Sequence, residues 1–156
     1  MNRYRVALVA LAVAVLAAGV SLYSLSRVTT VEIVDAPTAK IRFETALDAF
    51  DATKVLLQRA ADGAWVRSTE NGGPPAGKLR RIGVLAYEPD NEKLYRMDIP
   101  FWFYRMKGPA LGFVLKDTGF DLGDLGIQPL DLQEHGPGLV LDEEQADSGR
   151  IVVWVE

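Results

Sequence analysis

Asp117-Thr118-Gly119 is the one tripeptide in this chain with a catalytic precedent. In aspartic proteases two such loops bring two carboxylates together, and one shared proton makes an acid and a base of identical groups. An apolar stretch, Gly112–Leu115, does precede it. Against that, Lys116 and Phe120 stand where such a loop takes an apolar and a small residue, and no second Asp-Thr-Gly or Asp-Ser-Gly follows, so a protease would have to be a homodimer. The same residues read equally well as a helix that ends at Thr118-Gly119. No catalytic residue is assigned, and a membrane-anchored hydrolase of aspartic-protease type is kept as the alternative reading.

The remaining acids and the single histidine are weaker candidates. Asp117, Asp121 and Asp124 are spaced by four and three residues, unlike the alternate-residue ligands of a calcium-binding EF-hand loop. Asp142, Glu143, Glu144 and Asp147 read as a solvated hairpin tip that would collect a divalent ion only weakly. His135 stands before Gly136-Pro137-Gly138, at the end of a predicted helix, where a cationic ring would favour the helix dipole. The chain has no Gly-x-Ser-x-Gly and no phosphate-cradling Gly-rich motif, and with no cysteine it has no thiolate ligand, thiol nucleophile or disulfide. No cofactor, no metal site and no small-molecule substrate is predicted.

Phe101-Trp102-Phe103-Tyr104 is the densest aromatic run. Four consecutive rings cannot share one side of a helix, so at least one must face solvent or a partner. These residues are the predicted partner-binding surface, against either a protein groove or lipid headgroups. A helix buried between the sheet and a neighbouring element is the plainer account of the same run.

The elements that would position these groups follow from periodicity and punctuation. Val28–Val34 is rich in β-branched residues and predicts a strand, which Ala36-Pro37 breaks. Lys40–Phe43 predicts a second strand. Leu47, Phe50, Val55 and Leu56 recur at helical spacing and predict a helix running toward Gly63. Ala64–Ser68 is a short strand, and Glu70–Lys78, with paired glycines and paired prolines, is an exposed loop or a boundary. Leu79–Tyr87 and Lys93–Ile99 flank a turn at Glu88–Glu92 and predict a β-hairpin. Pro100 suits the first turn of a helix through Lys107, and after Gly108-Pro109 a further helix is predicted up to Asp117. Gln128–His135 is a short capped helix, and Gly138–Asp142 and Arg150–Val155 are strands around an acidic turn. The fold class is α+β, with mainly antiparallel hairpins and short packed helices.

Composition sets the wider frame. The chain has 156 residues, 49% of them apolar, which is ample for a core. Net charge is −4, and from Asp117 onward ten acids face one base, Arg150. Nucleic-acid binding depends on Lys and Arg neutralising phosphates, so that balance argues against it. At the other end, Val6–Leu25 carries no charge between Arg5 and Arg27. Twenty helical residues at about 1.5 Å rise span about 30 Å, the thickness of a hydrocarbon core. Arg3 and Arg5 place the leader in the cytoplasm by the positive-inside rule. The expectation is therefore a leader at 1–5, a transmembrane signal anchor at 6–25 and an exported domain at 26–156, with 70–78 as the place where that domain would divide in two. Cleavage of the segment as a signal peptide is the competing reading, and it exports the same domain.

The stretch from Leu79 to Glu156, with MDIPFWFYRMK, then TGFDLGDLGI, then EHGPGLVLDEEQADSGRIVVWVE, resembles a small α+β domain of uncharacterised bacterial proteins associated with SHOCT-like helical modules and envelope stress. The resemblance covers about half the chain and implies no catalytic residues. It departs in the aromatic run, in Gly108-Pro109 and in carrying a membrane segment where those proteins carry a cytosolic helical module. What it implies is an α+β domain in the bacterial envelope; the apolar segment at 6–25 adds the expectation of a single-pass inner-membrane protein with its domain in the periplasm or outside the cell. The bilayer and an unidentified envelope protein are the expected partners.

Overall fold

The computed structural model describes residues 29–50, 54–68, 78–107, 125–144 and 149–156. Backbone contacts divide the chain into Met1–Thr30 and Val31–Glu156, and the second unit is the one described below. The apolar segment 6–25 lies outside the described residues, as do the loop 70–77 and the predicted helix before Asp117. Among the described residues no helix is long and apolar enough to cross a membrane.

In chain order the elements are β1 (Thr29–Ile33), α1 (Ala36–Leu47), β2 (Leu57–Arg59), β3 (Trp65–Arg67), β4 (Arg81–Glu88), β5 (Lys93–Pro100), α2 (Phe101–Lys107), α3 (Pro129–His135), β6 (Gly138–Glu144) and β7 (Arg150–Val155). Five strands form one sheet in the order β1-β5-β4-β7-β6, and β2 and β3 form a separate two-stranded ribbon. The pairs β4/β5, β4/β7, β6/β7 and β2/β3 are all antiparallel. The fold is α+β, as the hairpin signals predict.

The β4–β5 hairpin runs in unbroken register from Arg81↔Pro100 to Glu88↔Lys93. Its turn is a 3-10 helix over Pro89–Asn91, closed by Glu92 in the left-handed region at φ 51°. Glu88 fixes the turn with both oxygens, accepting from Asn91 Nδ2 at 2.8 Å and from the Tyr95 hydroxyl at 3.2 Å. β7 then enters between β4 and β6 and has Ile151–Val155 buried throughout. A strand covered on both faces needs apolar residues at every position, which explains the unbroken Ile-Val-Val-Trp-Val.

Alternation along the paired strands sorts side chains into two faces. Gly83, Leu85 and Tyr87 share a face with Leu94 of β5 and with Trp154 and Val152 of β7. Helix α1 packs there through Ala39 and Phe43, with Val55 and Leu139 completing the cluster and Ala46, Leu47 and Phe50 at its margin. The opposite face, with Ile82, Val84, Met97, Ile99, Ile151 and Val153, is buried as well.

Residues 36–59 correct the sequence reading. Lys40–Phe43 is the middle of α1, and the helix expected from Leu47 onward has already ended there, with Asp48 as its C-cap. Ala36-Pro37 starts this helix where a break was expected: Asp35 is an N-cap whose carboxylate accepts from the Thr38 amide at 3.1 Å, and the proline lies in the first turn. There its missing N–H is one of the donors a helix start leaves unpaired in any case. Farther on, Val55, Leu56 and Leu57 are buried in succession, which no single helix face allows. They lead into β2, and Gly63 at φ 84° belongs to the β2–β3 turn, where Asp62 accepts from the Ala64 amide at 2.9 Å.

Gly83 faces Trp154 across the β4–β7 pair, and the indole lies so close over it that an added Cβ would fall inside the ring. Gly83→Ala should therefore cost about 1–3 kcal/mol through overpacking, read as a lower urea midpoint at unchanged m-value. Stability equal to wild type would show that Trp154 can move aside freely.

Candidate functional site

Helix α2 divides the aromatic run. Phe101 and Tyr104 are buried with ring centroids 6.3 Å apart, and the Phe101 amide donates to the Arg80 carbonyl at 2.9 Å. The Tyr104 hydroxyl donates to the Ile127 carbonyl at 2.7 Å. Burial, reinforced by the Asp131 charge, pushes that phenol up to about 12, so it stays a donor at any physiological pH. One step round the helix the picture reverses. Trp102 is 62% exposed and Met106, one turn on, is 67% exposed. Phe103 is half-buried and meets the Trp102 ring edge-on at 5.9 Å. Arg105 beside them is exposed. Of the predicted surface, Trp102 faces solvent, Phe103 borders it, and Phe101 and Tyr104 anchor the helix from below.

The β2–β3 ribbon braces the neighbouring helix. Arg67 of β3 donates to Asp131 Oδ1 at 2.7 Å and to the Gly126 carbonyl at 2.9 Å. The other Asp131 oxygen accepts from the Gln128 amide at 2.6 Å, which caps the start of α3. The expected short helix at Gln128–His135 thus forms at Pro129–His135, and a long-range arginine completes its cap.

His135 departs from its predicted role. The residue is only 4% exposed, and burial holds its pKa below the ordinary histidine value; only the hydrogen bond to Leu139 opposes that. Nε2 lies 3.1 Å from the Leu139 carbonyl, which can only accept, so Nε2 carries the proton of a neutral ring. A cationic partner for the helix dipole does not fit this setting, because burial disfavours the charged ring.

The acidic residues near the β6–β7 turn are also not a plain solvated tip. Asp142 receives a two-point contact from Arg150, at 3.0 and 2.9 Å, and that guanidinium lies 5.2 Å from the Phe43 ring centroid. Glu143 meets Arg59 at 2.6 Å through Oε1, while its Oε2 is buried with no hydrogen-bond partner among the described residues. Asp147, and Asp117, Asp121 and Asp124 with the Asp-Thr-Gly tripeptide, lie outside the described residues. Among those described, no cluster of three or more His, Asp or Glu side chains is placed to hold a metal.

One concave site emerges that sequence reading missed. Between α1 and the sheet is a cleft of about 370 Å³, with Phe50, Leu85, Leu94 and Trp154 among its apolar lining. Arg42, Arg81 and Arg96 line it as well, together with Glu32 and Glu156. The signal was available in part. The hairpin register alone puts Arg81, Leu85, Leu94 and Arg96 on one face, whereas placing α1 above them requires its true boundaries.

No protein-family model, no curated protein and no solved structure matches this chain.

His135 sets a pH dependence. A buried base with a lowered pKa contributes its full stability above the unfolded value of about 6.5 and loses it as pH falls toward the folded value, because the unfolded chain protonates first. The urea midpoint should drop between pH 7 and 5, and His135→Gln should flatten that slope. An identical slope in the variant would assign it to other groups. Arg67→Ala should cost no more than about 1 kcal/mol, since the pair is open to solvent and Asp131 keeps the Gln128 amide, measured by chemical denaturation.

Proposed function

We propose that this chain is a single-pass protein of the bacterial inner membrane, with residues 1–5 in the cytoplasm, 6–25 as an uncleaved anchor and 26–156 exported. In this reading the exported domain does no catalysis and binds another envelope component through the outer face of α2. The anchor rests on the charge-free Val6–Leu25 and its basic leader. The resemblance of residues 79–156 to the envelope-stress domain favours the same location.

The observation that carries the binding role is the division of α2. Phe101 and Tyr104 hold the helix to the domain, while Trp102 and Met106 are left in water. An exposed tryptophan next to a methionine and an arginine is the composition of an interface centre rather than of ordinary surface. Trp102 would fill an apolar pocket on the partner, and Arg105 would meet a carboxylate.

Two measurements test the reading. A C-terminal alkaline phosphatase fusion should be active and a C-terminal reporter that works only in the cytoplasm should be silent; the reverse pattern overturns the orientation. Trp102→Ala should reduce partner recovery from mild detergent while shifting Tm by less than about 3 °C, since exposed positions contribute within about 0.5 kcal/mol. A large loss of Tm would instead assign Trp102 to the core.

A further inference from the structure

The cleft between α1 and the sheet lies apart from α2, and its chemistry points to a different kind of ligand. Its floor exists because of one glycine. With no Cβ at Gly83, the Trp154 indole lies flat on β4, and Phe50 tilts against it at 6.1 Å between ring centroids. A side chain at Gly83 would lift the indole into the space that is now open. On the helix side the wall beside Arg42 is built of small residues, Thr45 and Ala46 of α1 and Ala49 just beyond its end. Small residues on one wall and a flattened ring on the floor keep the cleft open.

The rim pairs arginines with acids, and two of the three pairs are loose. Arg42 meets Glu32 at 3.5 Å and Arg96 meets Asp98 at 3.4 Å, both between exposed side chains. Arg81 is committed more firmly, to Glu156 at 2.6 Å. A guanidinium offers five N–H donors, and exposed ion pairs of such length are weak, so Arg42 and Arg96 retain donors for an incoming anion. The rim carboxylates already face arginines. An anionic group attached to an apolar body matches both features, and a carboxylate suits the planar fork of arginine. At about 370 Å³ the cleft lies at the small end of ligand pockets, which suits a chain of medium length such as a ten-carbon acyl carboxylate.

We propose that this cleft binds a medium-chain acyl carboxylate, its chain against Leu85, Leu94 and Trp154 and its head on Arg42 and Arg96. The test uses the full-length chain in phosphatidylcholine nanodiscs, labelled with a ten-carbon carboxylate that carries a diazirine on its tail, with crosslinks mapped by mass spectrometry. Saturable labelling of peptides containing Ala46, Leu94 or Trp154 is expected, competed by decanoate far better than by decyltrimethylammonium. Arg42→Gln and Arg96→Gln should each lower labelling about fivefold or more at unchanged Tm, as loss of a charge-assisted contact does. Ala46→Leu should block it by filling the cleft. Labelling that maps elsewhere, fails to saturate, is competed equally by the cation, or survives both arginine variants overturns the proposal. Competition by a peptide with an apolar C-terminal residue as strong as that by decanoate also overturns it, because the cleft would then take a chain terminus. The arginine variants alter exposed side chains and stay informative should Ala46→Leu fail to fold.

Discussion

The structure depends on the insertion of the last strand between two earlier ones. β7 pairs with β4 across more than sixty residues of chain and with β6 across a short turn, so neither face of the sheet is complete until the final residues arrive. Such pairing carries a loop-closure cost before any contact offsets it. The offset comes from burial: every residue from Ile151 to Val155 is removed from water, and Trp154 covers Gly83 on the side where α1 docks. The helix, the cleft and the Phe43–Arg150–Asp142 contact all sit on the face that this strand completes.

Polar groups at the edges follow the same order. Arg59 reaches Glu143, Arg67 reaches Asp131 and Arg150 reaches Asp142, each tying a residue of one element to an acid on another strand or helix. Where such pairs are open to solvent, as Arg67–Asp131 is on its arginine side, they add little stability singly. Their effect is positional: Arg67 holds the β2–β3 ribbon against the start of α3, and Arg59 stacks 4.8 Å from the Trp65 ring centroid while it holds Glu143. The surplus of acids after Asp117 is therefore partly consumed by bases from earlier in the chain.

The hairpin around Glu88–Glu92, the capped helix before Gly136 and the closing apolar strand were legible because each carries local signals that agree: alternation, turn residues, a proline or glycine at the right end. Residues 36–59 misled because their signals conflict. Ala36-Pro37 interrupts a strand and starts a helix with the same two residues, and the deciding partner is the Asp35 side chain one residue upstream. Val55–Leu57 has an apolar spacing that fits a helix when Leu47 and Phe50 are counted with it, yet all three residues are buried in succession. Of the aromatic run, the sequence required that one ring face outward. Which one was set by the register of α2 after β5, where Phe101 is held by the Arg80 carbonyl.

By itself, then, the sequence determined the α+β class, the antiparallel hairpins, the punctuation of α2 and α3, and an N-terminal apolar run of bilayer length. These are properties of neighbouring residues, and periodicity records them directly. Tertiary structure alone decided that His135 is buried with its pKa held down, that Asp142 and Glu143 are ion-paired, and that three arginines from α1, β4 and β5 surround one cleft. Those outcomes depend on residues far apart in the chain. Desolvation, ion pairing and concavity arise only where the fold brings such residues together, and no local pattern carries them.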